Sequence, residues 1–99
     1  MSADVDFDDV SLVKASKFRE AVVGELAHGP ATPSEIAEGS PYEIAHISRA
    51  LQEMRDAEIV ELLVSEDRRK GRIYALSDAG EAVSGFLSER GRSRGGDDE

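Results

Sequence analysis

Two helix starts, each led by proline, stand eight residues apart in this chain: Thr32-Pro33-Ser34-Glu35 and Ser40-Pro41-Tyr42-Glu43. In each, a hydroxyl residue suited to capping free amides precedes a proline whose fixed φ and missing N–H fit the first helical position. A glutamate three residues after the cap completes a capping box. Gly39 closes the interval, so only Pro33 to about Glu38 can belong to the first helix. Past Pro41 the pattern stays helical through Arg55, with Ile44, Ile47, Leu51 and Met54 recurring at three- and four-residue steps. A short helix, a tight glycine-containing turn and a longer amphipathic helix over 41–57 make a helix-turn-helix.

At about 100° per residue, Tyr42, Ala45, His46, Arg49 and Glu53 fall opposite the apolar stripe of the longer helix. This outward set offers a guanidinium, an imidazole, a phenol and a carboxylate. Ser48 lies nearer its edge and Gln52 beside it.

Upstream, Ser11 to His28 reads as one helix with Phe18, Val22, Val23 and Leu26 on its apolar face, stopped by Gly29-Pro30. Gly24 lies inside it, at a cost of about 1 kcal/mol relative to alanine. Before it, residues 1–10 form an acidic arm, either solvated or a helical extension from about Asp9 that packs on a partner subunit. Downstream, Ile59–Val64 is rich in branched apolar residues and reads as a strand, with Arg72–Leu76 as its partner. Ser65 to Gly71 is short enough to close a hairpin. Ser77 is placed to cap a last helix with Ala79, Ala82, Val83, Phe86 and Leu87 inward, ending near Arg90-Gly91. The arrangement predicts one domain over 11–90, mostly α with a small β-hairpin (α+β) in the order ααα-ββ-α, and a disordered tail over 91–99.

Composition narrows the function classes. The chain has 12 basic and 21 acidic residues, a net charge of −9, and no cysteine. Disulfides and thiolate metal sites are therefore excluded. No run is long and apolar enough for a membrane span or a secretory signal, which points to the cytoplasm. The excess of acid persists between the two acidic ends, and few of the bases are lysine. That balance resembles proteins of salt-in halophiles, whose hydrated carboxylates keep a surface soluble where ions screen most charge. Catalysis finds no support: His28 and His46 lie on different helices, and no glycine-rich loop follows a strand. His28 reads as a last-turn cation complementing its helix dipole. No cofactor and no small-molecule effector is identifiable.

Thr32-Pro33-Ser34-Glu35-Ile36-Ala37, Ile47-Ser48-Arg49-Ala50-Leu51, Val60-Glu61-Leu62 and the run from Arg72 to Glu81, in register, resemble archaeal winged helix-turn-helix transcriptional regulators of the MarR/ArsR-like type. The resemblance covers about residues 16–88. It implies double-stranded DNA as partner, a homodimer, the second helix of the motif in the major groove, and the hairpin wing over 65–72 on the backbone or minor groove. Metal sensing is common among ArsR-like relatives, and this chain lacks the cysteines that usually serve it. Such families commonly carry glycine just before the first wing strand. Here the residues are Ala57-Glu58-Ile59, which argues against a left-handed helix stop.

A DNA-reading surface needs cations for phosphates and hydrogen-bonding groups for base edges. The expected contacts are Arg49, His46, Tyr42, Gln52 and Ser48 from the longer helix, with Thr32 and Ser34 holding a phosphate at the start of the short one. In the wing, Arg68, Arg69, Lys70 and Arg72 form the concentrated positive patch of an otherwise acidic chain, opposed by Glu66 and Asp67. The expected subunit face uses the first and last helices, through Val10, Leu12, Val13, Val83, Phe86 and Leu87. Glu43, Glu53 and the net charge favour a competing role for the same fold, a protein-docking module that never touches DNA.

Overall fold

The computed structural model describes residues 5–63 and 72–97, with side chains given as far as Ser88. Its elements are α1 (Phe7–Lys14), α2 (Lys17–Leu26), α3 (Pro33–Glu38), α4 (Ile44–Asp56), β1 (Val60–Leu62), β2 (Tyr74–Leu76) and α5 (Asp78–Asp97). This is the mostly helical, hairpin-bearing class expected from the sequence, with four helices ahead of the hairpin in place of the expected three.

The helix expected over 11–28 is two helices. Ser16 breaks it: its backbone is extended (φ −140°, ψ 125°) and its hydroxyl accepts from the amides of Phe18 and Arg19, capping α2. A serine inside a helical pattern offers the backbone this alternative bond, and here the alternative wins. The preceding piece begins at Phe7, where the Asp6 carboxylate accepts from the Asp8 amide. The N-terminal arm is thus helical from Phe7. Gly24 packs against nothing, and Gly29 takes the positive φ (139°) that ends this part of the chain.

The capping box of α3 forms as expected. Thr32 Oγ1 accepts from the Glu35 amide, and the Thr32 amide donates to the Glu35 carboxylate at 2.9 Å. The second box does not form. The Ser40 hydroxyl donates to the Ala37 carbonyl and accepts from the Tyr42 amide, finishing α3 instead of opening α4. Pro41 and Tyr42 therefore lie outside the helix, which starts at Ile44 behind an extended Glu43 with no side-chain cap.

At its other end α4 stops left-handed, contrary to the expectation drawn from the missing glycine. Glu58 takes φ 66°, the Ile59 amide donates to the Met54 carbonyl, and the Glu58 amide donates to the Arg55 carbonyl. These are the two bonds of a Schellman stop. A glutamate holds the conformation because Ile59, the next residue, is fully buried and pulls the chain back into the core.

The hairpin pairs Val60 with Leu76, Glu61 with Ala75 and Leu62 with Tyr74. Val60, Tyr74 and Leu76 are buried while Glu61 is exposed, the period-two alternation of a half-covered sheet. The other edge of β2 is also engaged: Ala31 and Tyr74 exchange backbone bonds of 3.0 and 2.9 Å, joining the α2–α3 connection to the wing. Ser77 caps α5 as expected, its hydroxyl donating to the Glu58 carbonyl at 2.7 Å and accepting from the Gly80 amide. α5 continues to Asp97, beyond the stop expected at Arg90-Gly91.

The core joins Val13, Val22, Ile36, Ile47, Leu51, Met54, Ile59, Val60 and Val83, all of them fully buried. Among the described residues no helix is long and apolar enough to cross a membrane.

Candidate nucleic-acid interface

α4 is buried along one stripe. Ile47, Ala50, Leu51 and Met54 are buried, whereas Ala45, His46, Ser48, Arg49, Gln52 and Glu53 are exposed. Ile44, expected in the apolar stripe, is 47% exposed because it opens the helix beyond the reach of the core. Ala50 takes the inward place instead.

The exposed groups divide into two sets. Ala45, Ser48, Arg49 and Gln52 lie around the pole opposite the buried stripe, and the Gln52 amide donates to Asp56 one turn on. His46 and Glu53 turn sideways toward α2. The imidazole of His46 stacks on the Phe18 ring, with centroids 4.4 Å apart and planes 8° from parallel. Tyr42 meets the same ring edge-on at 4.9 Å. Lys17 Nζ stands 5.5 Å from the Phe18 centroid and 5.7 Å from that of Tyr42, within cation–π range of both.

Beside this cluster lies an ionic one. Arg19, its side chain only 15% exposed, donates through Nη1 to Glu53 Oε1 at 2.6 Å and through Nε to the Leu12 carbonyl at 2.7 Å. The second oxygen of Glu53 is 3.8 Å from Arg49 Nε, and the Arg49 side chain is 82% exposed. Ser16, Phe18, Arg19, His46, Arg49, Ala50 and Glu53 line an open hollow of about 360 Å³ between α2 and α4.

The structure thus leaves Ser48, Arg49 and Gln52 exposed on α4 and sets Tyr42 and His46 against Phe18 at its flank. The hydroxyl and amide of Thr32 are both engaged in the α3 capping box, the amide on the Glu35 carboxylate. Ser34 is exposed. Arg72 is exposed at the foot of the wing, and Arg68, Arg69 and Lys70 lie outside the described residues. Val10, Val13 and Val83 cannot form a subunit face as expected, because all three are buried within the single chain. Leu12, Phe86 and Leu87 are half-buried against the core, and the exposed Phe7 meets Phe86 edge-on at 5.4 Å.

Sequence reading missed Lys17, Phe18 and Arg19 as neighbours of the α4 surface. Phe18 has the helical spacing of a core residue. The Arg19–Glu53 pair spans 34 positions, which no local pattern records. Among the described residues no group of three or more His, Cys, Asp or Glu is disposed to hold a metal ion.

No protein-family model and no curated protein matches the chain. Solved structures do. A MarR family regulator from Neisseria meningitidis superposes with a TM-score of 0.72 at 21% identity, covering 85% of this chain and 60% of its own. Quinone-bound YodB from B. subtilis superposes at 0.71 with 22% identity, covering 89% and 93%. An ArsR family transcriptional regulator superposes at 0.60 with 23% identity, covering 87% of each chain. This chain spans only 53% of the length of Lactococcus lactis ZitR, which it also matches. At these identities the likeness is one of fold: the chain is a winged helix of the kind found in MarR and ArsR family transcriptional regulators.

Proposed function

We propose that the chain is a sequence-specific, double-stranded DNA-binding transcriptional regulator acting as a homodimer. In this reading α4 enters the major groove and the wing over 65–72 meets the backbone or minor groove. The observation that carries it is the disposition of α4, held to the core along one stripe and presenting Arg49 at the opposite pole. A helix docked in this way can enter a groove without unfolding. Arg49 is assigned to a guanine edge or a phosphate, Ser48 and Gln52 to neighbouring polar groups, and His46 and Tyr42 to the flank. Arg68, Arg69, Lys70 and Arg72 are assigned to phosphates, as is Ser34. The subunit face is assigned to Leu12, Phe86 and Leu87 together with Phe7, the apolar groups left accessible on α1 and α5.

The net charge of −9 opposes approach to DNA at low ionic strength. We assign the acidic surface to a high-salt cytoplasm of the haloarchaeal kind, where long-range repulsion is screened and contact depends on shape and hydrogen bonds.

The test is retardation of random duplex DNA at several salt concentrations by the parent, by Arg49→Ala and by an Arg68/Arg69/Lys70 triple alanine variant. Loss of the shift in both variants is the expected result. No shift by the parent at any salt selects the second reading, a docking module. That reading draws on the exposed Ile44 and on the carboxylates of Glu43, Glu53 and Asp56 on and beside α4.

A further inference from the structure

We propose that Glu53, anchored by Arg19, is a positioning residue that sets the direction of the Arg49 guanidinium and withholds part of its charge from DNA phosphates. The proposal deepens the DNA-binding reading and rests on it for its consequence, though not for its geometry.

Three observations carry it. First, Arg19 is ordered independently of Arg49, being largely buried and bonded to the Leu12 carbonyl at 2.7 Å. Second, it bonds one oxygen of Glu53 at 2.6 Å, so that carboxylate has a fixed partner other than Arg49. An exposed pair one helical turn apart is ordinarily weak because two long side chains must be ordered together. Here one of the two has that other partner, and Arg49 is the one left to be ordered. Third, the free oxygen of Glu53 faces Arg49 through Nε, 3.8 Å away, at the side of the guanidinium. The approach is to the Nε edge of the planar guanidinium, so the outer edge formed by the two terminal nitrogens is the one Glu53 does not occupy. The terminal pair is the fork that makes parallel bonds to a base edge or a phosphate.

The relay also has a polarity. Arg19 touches the last turn of α1 through Leu12, donates its backbone amide to the capping hydroxyl of Ser16, and reaches α4 through Glu53. The placement of Arg49 is therefore tied to the junction of α1 and α2.

The experiment uses the full chain and two readouts. The Arg49 Nε–Hε resonance is followed by nitrogen-15 NMR at mildly acidic pH in the parent, in Glu53→Gln and in Arg19→Lys. Random-duplex affinity is then measured against salt for the parent, Glu53→Gln, Arg49→Ala and the Glu53→Gln/Arg49→Ala double variant. The expected result is an Arg49 resonance that moves to the position of a solvated arginine in Glu53→Gln and part of the way there in Arg19→Lys. Affinity of Glu53→Gln should rise about twofold at low salt, the size of one lost surface pairing. The slope of log K against log salt should steepen by about 0.9, one further phosphate neutralised. In the Arg49→Ala background the glutamine should add nothing. An Arg49 resonance unchanged in Glu53→Gln, or an affinity gain that survives without Arg49, overturns the proposal. If the parent binds no duplex, the DNA reading fails while the resonance comparison alone decides whether Glu53 positions Arg49.

Discussion

The imidazole of His46 lies flat on the ring of Phe18, 4.4 Å between centroids, so the first residue pair to fix α4 against α2 on the solvent side is an aromatic stack. The same Phe18 ring receives Tyr42 edge-on, which places the residue just ahead of α4 as well as one inside it. Phe18 is thereby a support for two of the proposed DNA contacts.

Replacing Phe18 by alanine should remove that support. The variant is expected to lose about 1–2 kcal/mol of stability, less than a fully buried phenylalanine because Phe18 is only half-buried. Urea unfolding measures the loss. Where the parent retards DNA, Phe18→Ala should bind more weakly than the stability change explains, although Phe18 is not one of the proposed contacts.

Glu58 is the one non-glycine residue with positive φ among the described residues. A side chain in this conformation is strained by about 1 kcal/mol, and glycine removes the strain while adding freedom to the unfolded chain. Glu58→Gly should therefore stabilise by about 0.5 kcal/mol, seen as a higher urea midpoint with an unchanged slope. A destabilised Glu58→Gly would mean that the glutamate makes a favourable contact outweighing its strain.

Gly80 lies where a β-carbon would run into the Ile59 carbonyl oxygen, which is itself bonded to the Ser77 amide. Backbone cannot yield here as a flexible side chain would. Gly80→Ala should cost about 1–3 kcal/mol by forcing α5 away from β1, whereas Gly24→Ala, with open space around it, should stabilise by up to about 1 kcal/mol. Thermal unfolding of the two variants side by side tests the contrast.

Asp9 has its carboxyl pushed above the ordinary value of 3.8, by burial first and by the charges of Asp6 and Asp8 next. A carboxyl with a raised folded pKa binds more protons in the native state than in the unfolded one, so its contribution to stability falls as pH rises through that window. Asp9→Asn should raise the melting temperature slightly at neutral pH, within about 0.5 kcal/mol, and the gain should vanish below pH 3.8. A gain of equal size at both ends of the pH range would assign the effect to something other than charge.

Much of the architecture was legible in local pattern. Thr32-Pro33-Ser34-Glu35 announced α3 because a capping box is closed by residues three apart, and Ile47, Leu51 and Met54 announced the buried stripe of α4 because helical periodicity is a property of neighbours. The hairpin and the Ser77 cap were readable for the same reason. Ser40 was misread because its hydroxyl had two local backbone partners to choose between, and the one closing α3 won.

What only the tertiary structure decided are matters of distance between remote segments. Sequence spacing placed Arg49 on an outward face, but the presence of Phe18 under His46 and of Arg19 beside Glu53 depends on how α2 crosses α4, and that crossing is settled by the packing of Val22, Leu26, Ile47 and Leu51 in a shared core. Likewise Val10, Val13 and Val83 are as apolar as any subunit-facing residue, and only the closure of α1 and α5 over the same core showed them to be interior. A one-dimensional pattern states which faces are apolar. Which apolar face meets which is settled when the chain chooses the packing that buries them together.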